Sequence, residues 1–253
     1  MRWVWLLVLA AAAASVSGCK SLHPEPPEFP PLLLSRLAPR FPPLAVGGHQ
    51  RGKLAFTEQR EAANRAVKDI LAIEPAVRFS KERPVTIAIA EVGPSGIETI
   101  RQAEKDAWRK ALESTGLVRV VFISSVILSA DPQFHEIRVA AARLHADTVL
   151  LYASASSRAS RVNLGAFLYL TVAGLFLSPG NQNAVLTFSK GVCFDVENEY
   201  LEFVVEGEDE RESTRPWYFT NPDELELDSK KAALEVLRSE TVRALEARAA
   251  SRK

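Results

Sequence analysis

Cys19 is the residue whose neighbours most narrow its chemistry. Arg2 gives a short positive start, Val4 to Ala14 is an apolar run, and Val16-Ser17-Gly18 leads into the thiol. That is the three-part layout of a secretory signal, and the run is too short to cross a bilayer as a permanent helix. No second constellation forms. His135 and His145 stand ten residues apart on one expected helix and project in different directions. His-Glu-x-x-His, Cys-x-x-Cys, Gly-x-Ser-x-Gly and a phosphate-cradling glycine loop do not occur. Gly93-Pro94-Ser95-Gly96 lacks the lysine of such a loop and reads as a turn and helix cap. Cys193 falls in a strand pattern and reads as a small core residue.

The Val-Ser-Gly-Cys ending resembles the bacterial lipobox, in which the cysteine receives diacylglycerol and becomes the new N-terminus after cleavage. Cys19 is then the lipidation site, carrying a diacylglycerol and palmitate-type anchor. Cys193 is left without a cysteine to pair with, so stability in an oxidising envelope must come from packing. Lys20 stands where an Asp would signal inner-membrane retention in enterobacterial sorting, which points to the outer membrane, facing the periplasm.

Three segments are expected: residues 1–18 as signal peptide, 19–49 as the lipidated cysteine and a proline-rich tether, and 50–253 as one α/β periplasmic domain. Eight prolines between Pro24 and Pro43 favour extended backbone. At about 3.1 Å per residue such a tether reaches several tens of ångströms. Leu32, Leu33 and Leu34 are unusual in a pure spacer. The 31 Lys plus Arg equal the 31 Asp plus Glu, so charge gives no case for nucleic acid.

Within the domain, Thr57 caps a first expected helix to about Ile73. Val85 to Val92 is a nearly uncharged strand of the kind buried on both faces. Ser95 and Glu98 fit a capping box opening the next helix, which carries Ile97, Ile100, Ala103, Ala107, Ala111 and Leu112 and ends at Gly116. Trp108 on that helix reads as core or boundary packing. Val118 to Ile123 follows as a strand. Asp131-Pro132 is a cap and first-turn proline, with Phe134, Ile137, Ala141 and Leu144 turned inward. Asp147 to Ala155 is a third strand. Leu186 to Val196 and Leu201 to Val205 form a hairpin across Glu197-Asn198-Glu199. Phe188, Val192, Phe194 and Val196 face inward there, continued by Leu201, Phe203 and Val205. A last helix spans about Asp228 to Ala249. The order αβαβαββα gives an α/β (α+β) fold, a mixed sheet flanked by helices.

That order resembles envelope domains of the TolB N-terminal and CsgG-like type, in which an alanine-rich helix runs into a "(G/H)AD-hydrophobic" strand. The matching residues are Ala140 to Val149 and the hairpin with Phe194-Asp195-Val196. A closer resemblance is to rhombotarget lipoproteins, through Thr171-Val172-Ala173-Gly174 and Pro179-Gly180-Asn181-Gln182-Asn183, then Phe194-Asp195-Val196 and Leu201-Glu202-Phe203. It covers roughly Val85 to Gly207. The sequence closes on Ala250-Ser251-Arg252-Lys253, without that family's Gly-Gly signal and hydrophobic tail, so rhomboid-type processing is not carried over.

Two segments could hold a partner. Val162 to Ser189 is free of charge between Arg161 and Lys190. Its Leu164, Phe167, Leu168, Tyr169, Leu175 and Phe176 suit a core position, a partner or oligomer interface, or a dip into the bilayer surface. Arg215-Pro216-Trp217-Tyr218-Phe219 is a core lid or a recognition patch, with Trp217 and Tyr218 as its anchors. The acidic run Glu206 to Glu212 reads as a solvated strand end that discourages edge pairing, rather than a calcium loop. No metal, cofactor or catalytic residue is expected. The functional reading is a non-enzymatic binding or assembly module for another envelope protein or a homo-oligomer. A CsgG-type secretion or pore component is the alternative, and an unrecognised hydrolase a third.

Overall fold

Alternation and turn chemistry account for most of the elements in the computed structural model, which describes residues 24–27, 72, 76–94, 96–128, 132–162, 181–215 and 221–251. The first expected helix, the signal peptide and most of the tether lie outside these residues. The elements are β1 (Val85–Gly93), β2 (Gly96–Glu98), α1 (Gln102–Glu113), β3 (Val118–Phe122), a short 3-10 turn (Ser125–Ile127), α2 (Phe134–Arg143), β4 (Thr148–Val162), β5 (Asn181–Asp195), β6 (Leu201–Arg215) and α3 (Pro222–Ala250). They form one mixed six-stranded sheet, ordered β2-β1-β4-β5-β6, with β3 also paired to β1. β1 runs parallel to both β3 and β4 and antiparallel to β2. Among the described residues this is an α+β architecture with three helices.

Two compact units are present. One holds Ser154–Ser189 and Gly207–Val236 together with the N-terminal residues through Glu28; the other holds Phe29–Ala153, Lys190–Glu206 and Leu237–Lys253. In the second, β1 is apolar on both faces because both are covered. Ala88, Ala90, Val149, Leu151 and Phe194 pack with Phe134, Ile137, Ala140 and Ala141 of α2. On the opposite face Ile87, Ile89, Leu150, Tyr152, Trp108 and Leu112 are fully buried. Gly191 in β5 is a close approach: a Cβ there would lie 3.0 Å from Val205 Cγ2 and 3.6 Å from Leu237 Cδ1.

Several expectations are corrected. Glu98 does not open a helix, and Ser95 lies outside the described residues. Gly93 pairs with Gly96, whose φ of 113° suits a tight hairpin, so Gly96–Glu98 becomes β2 and α1 starts only at Gln102. Ile97 therefore leaves the helical stripe and Ala103 is exposed, while Trp108 is fully buried. Gln133, still extended at ψ 157°, is the N-cap of α2, which begins at Phe134 rather than Pro132. Phe134 meets Phe194 edge-on at 5.1 Å, an orientation that fixes the first turn. β4 runs on to Val162, seven residues beyond Ala155, because its serines find hydroxyl partners on β5. α3 starts at Pro222, where the Asn221 side chain accepts from Asp223 N at 3.2 Å. In the hairpin, the face carrying Thr187, Ser189 and Cys193 is fully buried, whereas Phe188, Val192 and Val196 are half-buried. Leu201 is exposed and its neighbour Glu202 is fully buried, because Arg248 donates to the Glu202 carbonyl and lies 3.7 Å from its carboxylate.

Candidate functional site

The aspartates of the two motif segments are the first place to look for chemistry, and the fold consumes both. His145 takes φ 53° at the end of α2, where Ala146 N donates back to Ala141 O at 3.0 Å. A left-handed residue at this position explains why glycine or histidine can stand there. Asp147 then latches β4 to β1: its carboxylate accepts from Thr86 N at 2.8 Å and its N–H donates to Thr86 O at 2.8 Å. Val196 N donates to Asp147 O at 2.9 Å, joining the second motif to the first. Asp195, fully buried, accepts from Glu197 N at 2.7 Å, Asn198 N at 3.3 Å and Val77 N at 3.2 Å. Arg138 donates to the carbonyls of Val196 and Glu197 and pairs with Glu199, closing the turn. Both carboxylates act as backbone acceptors at chain turns. His145→Gly should therefore raise stability by about 0.5–1 kcal/mol, because glycine avoids the left-handed penalty at some entropic cost. Thermal melting checks it, and an unchanged or lower Tm would contradict the account.

A second cluster escaped sequence reasoning. Tyr152 donates to Glu104 Oε1 at 2.5 Å and lies 3.4 Å from Glu91 Oε2, with the Trp108 ring 5.3 Å away. Burial, then the charges of Glu91 and Glu104, push the phenol far above its ordinary 10.0; the Trp108 indole opposes this weakly from outside hydrogen-bond geometry. The available signal was Glu91, the one charge in an otherwise apolar strand. The phenol donates toward both carboxylates, and the cluster presents no nucleophile. Tyr152→Phe should cost about 1.5–3 kcal/mol, the range for hydrogen bonds to charged groups. The pH dependence has a definite sign. The phenol stays protonated in the fold but ionises near 10 when unfolded, so the native protein should lose stability as pH rises above about 10. The Phe variant should lose less over that window in denaturant titrations.

Cys193 is fully buried, and burial followed by the Glu202 charge pushes its thiol up, so it is an inert core residue. The acidic run lies within β6, an end strand of the sheet path, with Glu206, Glu208, Glu210 and Glu212 exposed at every second residue. Among the described residues no group of three or more His, Cys, Asp or Glu is placed to hold a metal.

Cys19, Leu164, Phe167, Leu168, Tyr169, Leu175, Phe176, Trp217 and Tyr218 all lie outside the described residues. Their points of attachment are described. The pairs Ser154–Ser189 at 2.8 Å and Ser156–Thr187 at 2.9 Å step forward on β4 and back on β5, as in antiparallel neighbours. That register carries Val162 toward Asn181. Lys190 pairs with Glu206 at 2.9 Å in the β5–β6 hairpin, and the same stepping carries Asn181 toward Arg215. α3 joins this end through Arg158, which pairs with Asp223 at 2.8 Å and with Glu226. Residues 163–180 and 216–220 thus leave from and return to strand and helix ends in the same compact unit. No helix among the described residues is long and apolar enough to cross a membrane.

No family model and no curated protein matches this chain. Solved structures similar to it include the PelC dodecamer from Paraburkholderia phytofirmans, 15% identical over 68% of this chain and 91% of that one, TM-score 0.33. The hypothetical protein CT253 from Chlamydia trachomatis is 10% identical over 66% of this chain and 99% of its own, TM-score 0.36. Lipoprotein GNA1162 from Neisseria meningitidis is 10% identical over 60% of this chain and 98% of its own, TM-score 0.30. These similarities are distant.

Proposed function

We propose that the chain is a lipid-anchored module of the bacterial envelope that binds another envelope protein, or copies of itself, without catalysing a reaction. The observation that carries this reading is Val16-Ser17-Gly18-Cys19 behind the apolar run Val4 to Ala14, a setting that suits the thiol for diacylglycerol. The anchor faces the periplasm from the outer membrane, on the strength of Lys20. The rhombotarget-type motif around Thr171 and Pro179 supports a place among such lipoproteins.

The recognition surface is built from Leu164, Phe167, Leu168, Tyr169, Leu175 and Phe176, with Trp217 and Tyr218. Two facts support it: both segments attach to one compact unit, and aromatic anchors dominate binding energy at interfaces. The test is crosslinking of the full chain in native membranes. Adducts heavier than the monomer are expected, and they should weaken when Phe167 and Tyr169 are replaced by serine. Recovery of monomer alone would count against the proposal.

A further inference from the structure

We infer that the edge of β3 takes β6 of a second copy of this chain, strand against strand. This rests on the self-association half of the reading above and uses none of the segments assigned there. Val85 N donates to Leu117 O at 2.9 Å and Ile123 N to Ile89 O at 3.0 Å, in a parallel ladder that sets Ile87 opposite Val120. The odd-numbered residues of β3 thus turn their backbone groups toward β1, and Val118, Val120 and Phe122 turn theirs away. The Val120 amide agrees: it donates to Glu113 Oε1 of α1 at 2.9 Å, a carboxylate standing where a neighbouring strand would place a carbonyl. Among the described residues β1 is the one strand paired with β3.

Charge selects the strand that fits. Arg119 is exposed on β3, and on its Phe122 the Lys105 ammonium and Arg109 guanidinium lie 5.7 and 5.1 Å from the ring centroid. β6 ends the sheet path and exposes Glu206, Glu208, Glu210 and Glu212 at alternate positions. Opposite charges across neighbouring strands stabilise pairing, and like charges oppose it. Two β6 strands would set glutamate against glutamate, and two β3 edges arginine against arginine. The acids of β6 therefore bar a like strand and admit the basic edge of β3. A carbonyl of the incoming β6 then replaces the Glu113 carboxylate at the Val120 amide. Each copy carries one edge of each kind, so the contact is heterologous and association continues past the dimer.

The test is sedimentation of the full, acylated chain in enough detergent that anchors do not share a micelle. One variant carries Lys105→Glu with Arg119→Glu, the other Glu208→Lys with Glu212→Lys, and circular dichroism checks that each is folded. Each alone should need at least about tenfold more protein to self-associate, because like charges juxtaposed across an interface suppress it. Mixing the two should restore association, since each edge then meets its opposite. Arg119→Glu alone, at an exposed position, keeps the test if Lys105→Glu disturbs the packing on Phe122. Self-association unchanged in both variants, or not restored by mixing, would overturn this inference alone. A wild-type chain that stays monomeric would overturn it together with the self-association half of the reading, and leave binding to another envelope protein standing.

Discussion

Cys19→Ser, expressed behind an ordinary cleavable leader, should move the protein from the membrane fraction to the soluble fraction and leave the domain folded. The expected drop in membrane association is at least tenfold. Each buried methylene of a lipid anchor contributes about 0.8 kcal/mol, and two chains suffice for stable attachment where one gives marginal binding. The serine hydroxyl in place of the thiol removes that attachment. The described helices offer no spanning segment as a substitute. The sheet begins at Val85 and the buried hydrophobic core at Phe79, both well past Cys19, so the circular dichroism and melting of the released domain should match the wild type. Fractionation with and without high salt is the measurement. Tight association of the serine variant would identify Val162 to Leu177 as a second anchor and overturn the cysteine as the main one.

Trp108→Ala should be the most damaging single change among the described residues, at about 3–5 kcal/mol, the usual cost of truncating a buried tryptophan. The side chain is fully buried between α1 and the sheet, its ring 5.3 Å from Tyr152 and 5.9 Å from the Arg238 guanidinium. Truncation leaves a cavity beside the Glu91–Tyr152–Glu104 cluster, whose geometry depends on a packed neighbour. Against a typical domain stability of about 5–15 kcal/mol, the loss is large enough to unfold a marginal protein. Trp108→Phe keeps the test decisive if the alanine variant fails to fold. Trp108 Nε1 has no hydrogen-bond partner, so phenylalanine sacrifices area and little else and should cost about 1–2 kcal/mol. Equal costs for the two variants in denaturant unfolding would contradict the packing account.

How legible the fold was depended on which physical signal each residue carried. β1 was visible as an uncharged apolar run and α2 in its hydrophobic period, because each buries apolar side chains against a neighbour; the β5–β6 hairpin was visible at its turn, but its fully buried face carries Thr187, Ser189 and Cys193, which hydrophobic period does not mark. The start of α3 was also present in the sequence, as Asn221-Pro222, a cap-then-proline pair, although the same pattern at Asp131-Pro132 anticipated α2 two residues before its start at Phe134. It was obscured by the acidic turns that follow, whose charges face solvent and Arg158 rather than a core. Gly93-Pro94-Ser95-Gly96 fits either a cap or a hairpin, and only the sheet, by offering β1 an antiparallel neighbour, decides it. The outer half of β4 was illegible as a strand because its serines are satisfied by hydroxyls on β5 instead of burying carbon. Glu202 reads as an exposed strand residue until Arg248, forty-six positions away, is folded against it. For the candidate site, the residues chosen from sequence fall outside the described positions, but the fold brings their attachment points to one unit. That convergence is a property of strand register, which no local pattern contains.

Mass spectrometry of the mature chain purified from native membranes tests the central claim most directly. The account predicts an N-terminal residue at Cys19 carrying diacylglycerol on its sulfur, with residues 1–18 removed. An N-terminus elsewhere, or a Cys19 without lipid in membrane-derived protein, would contradict it.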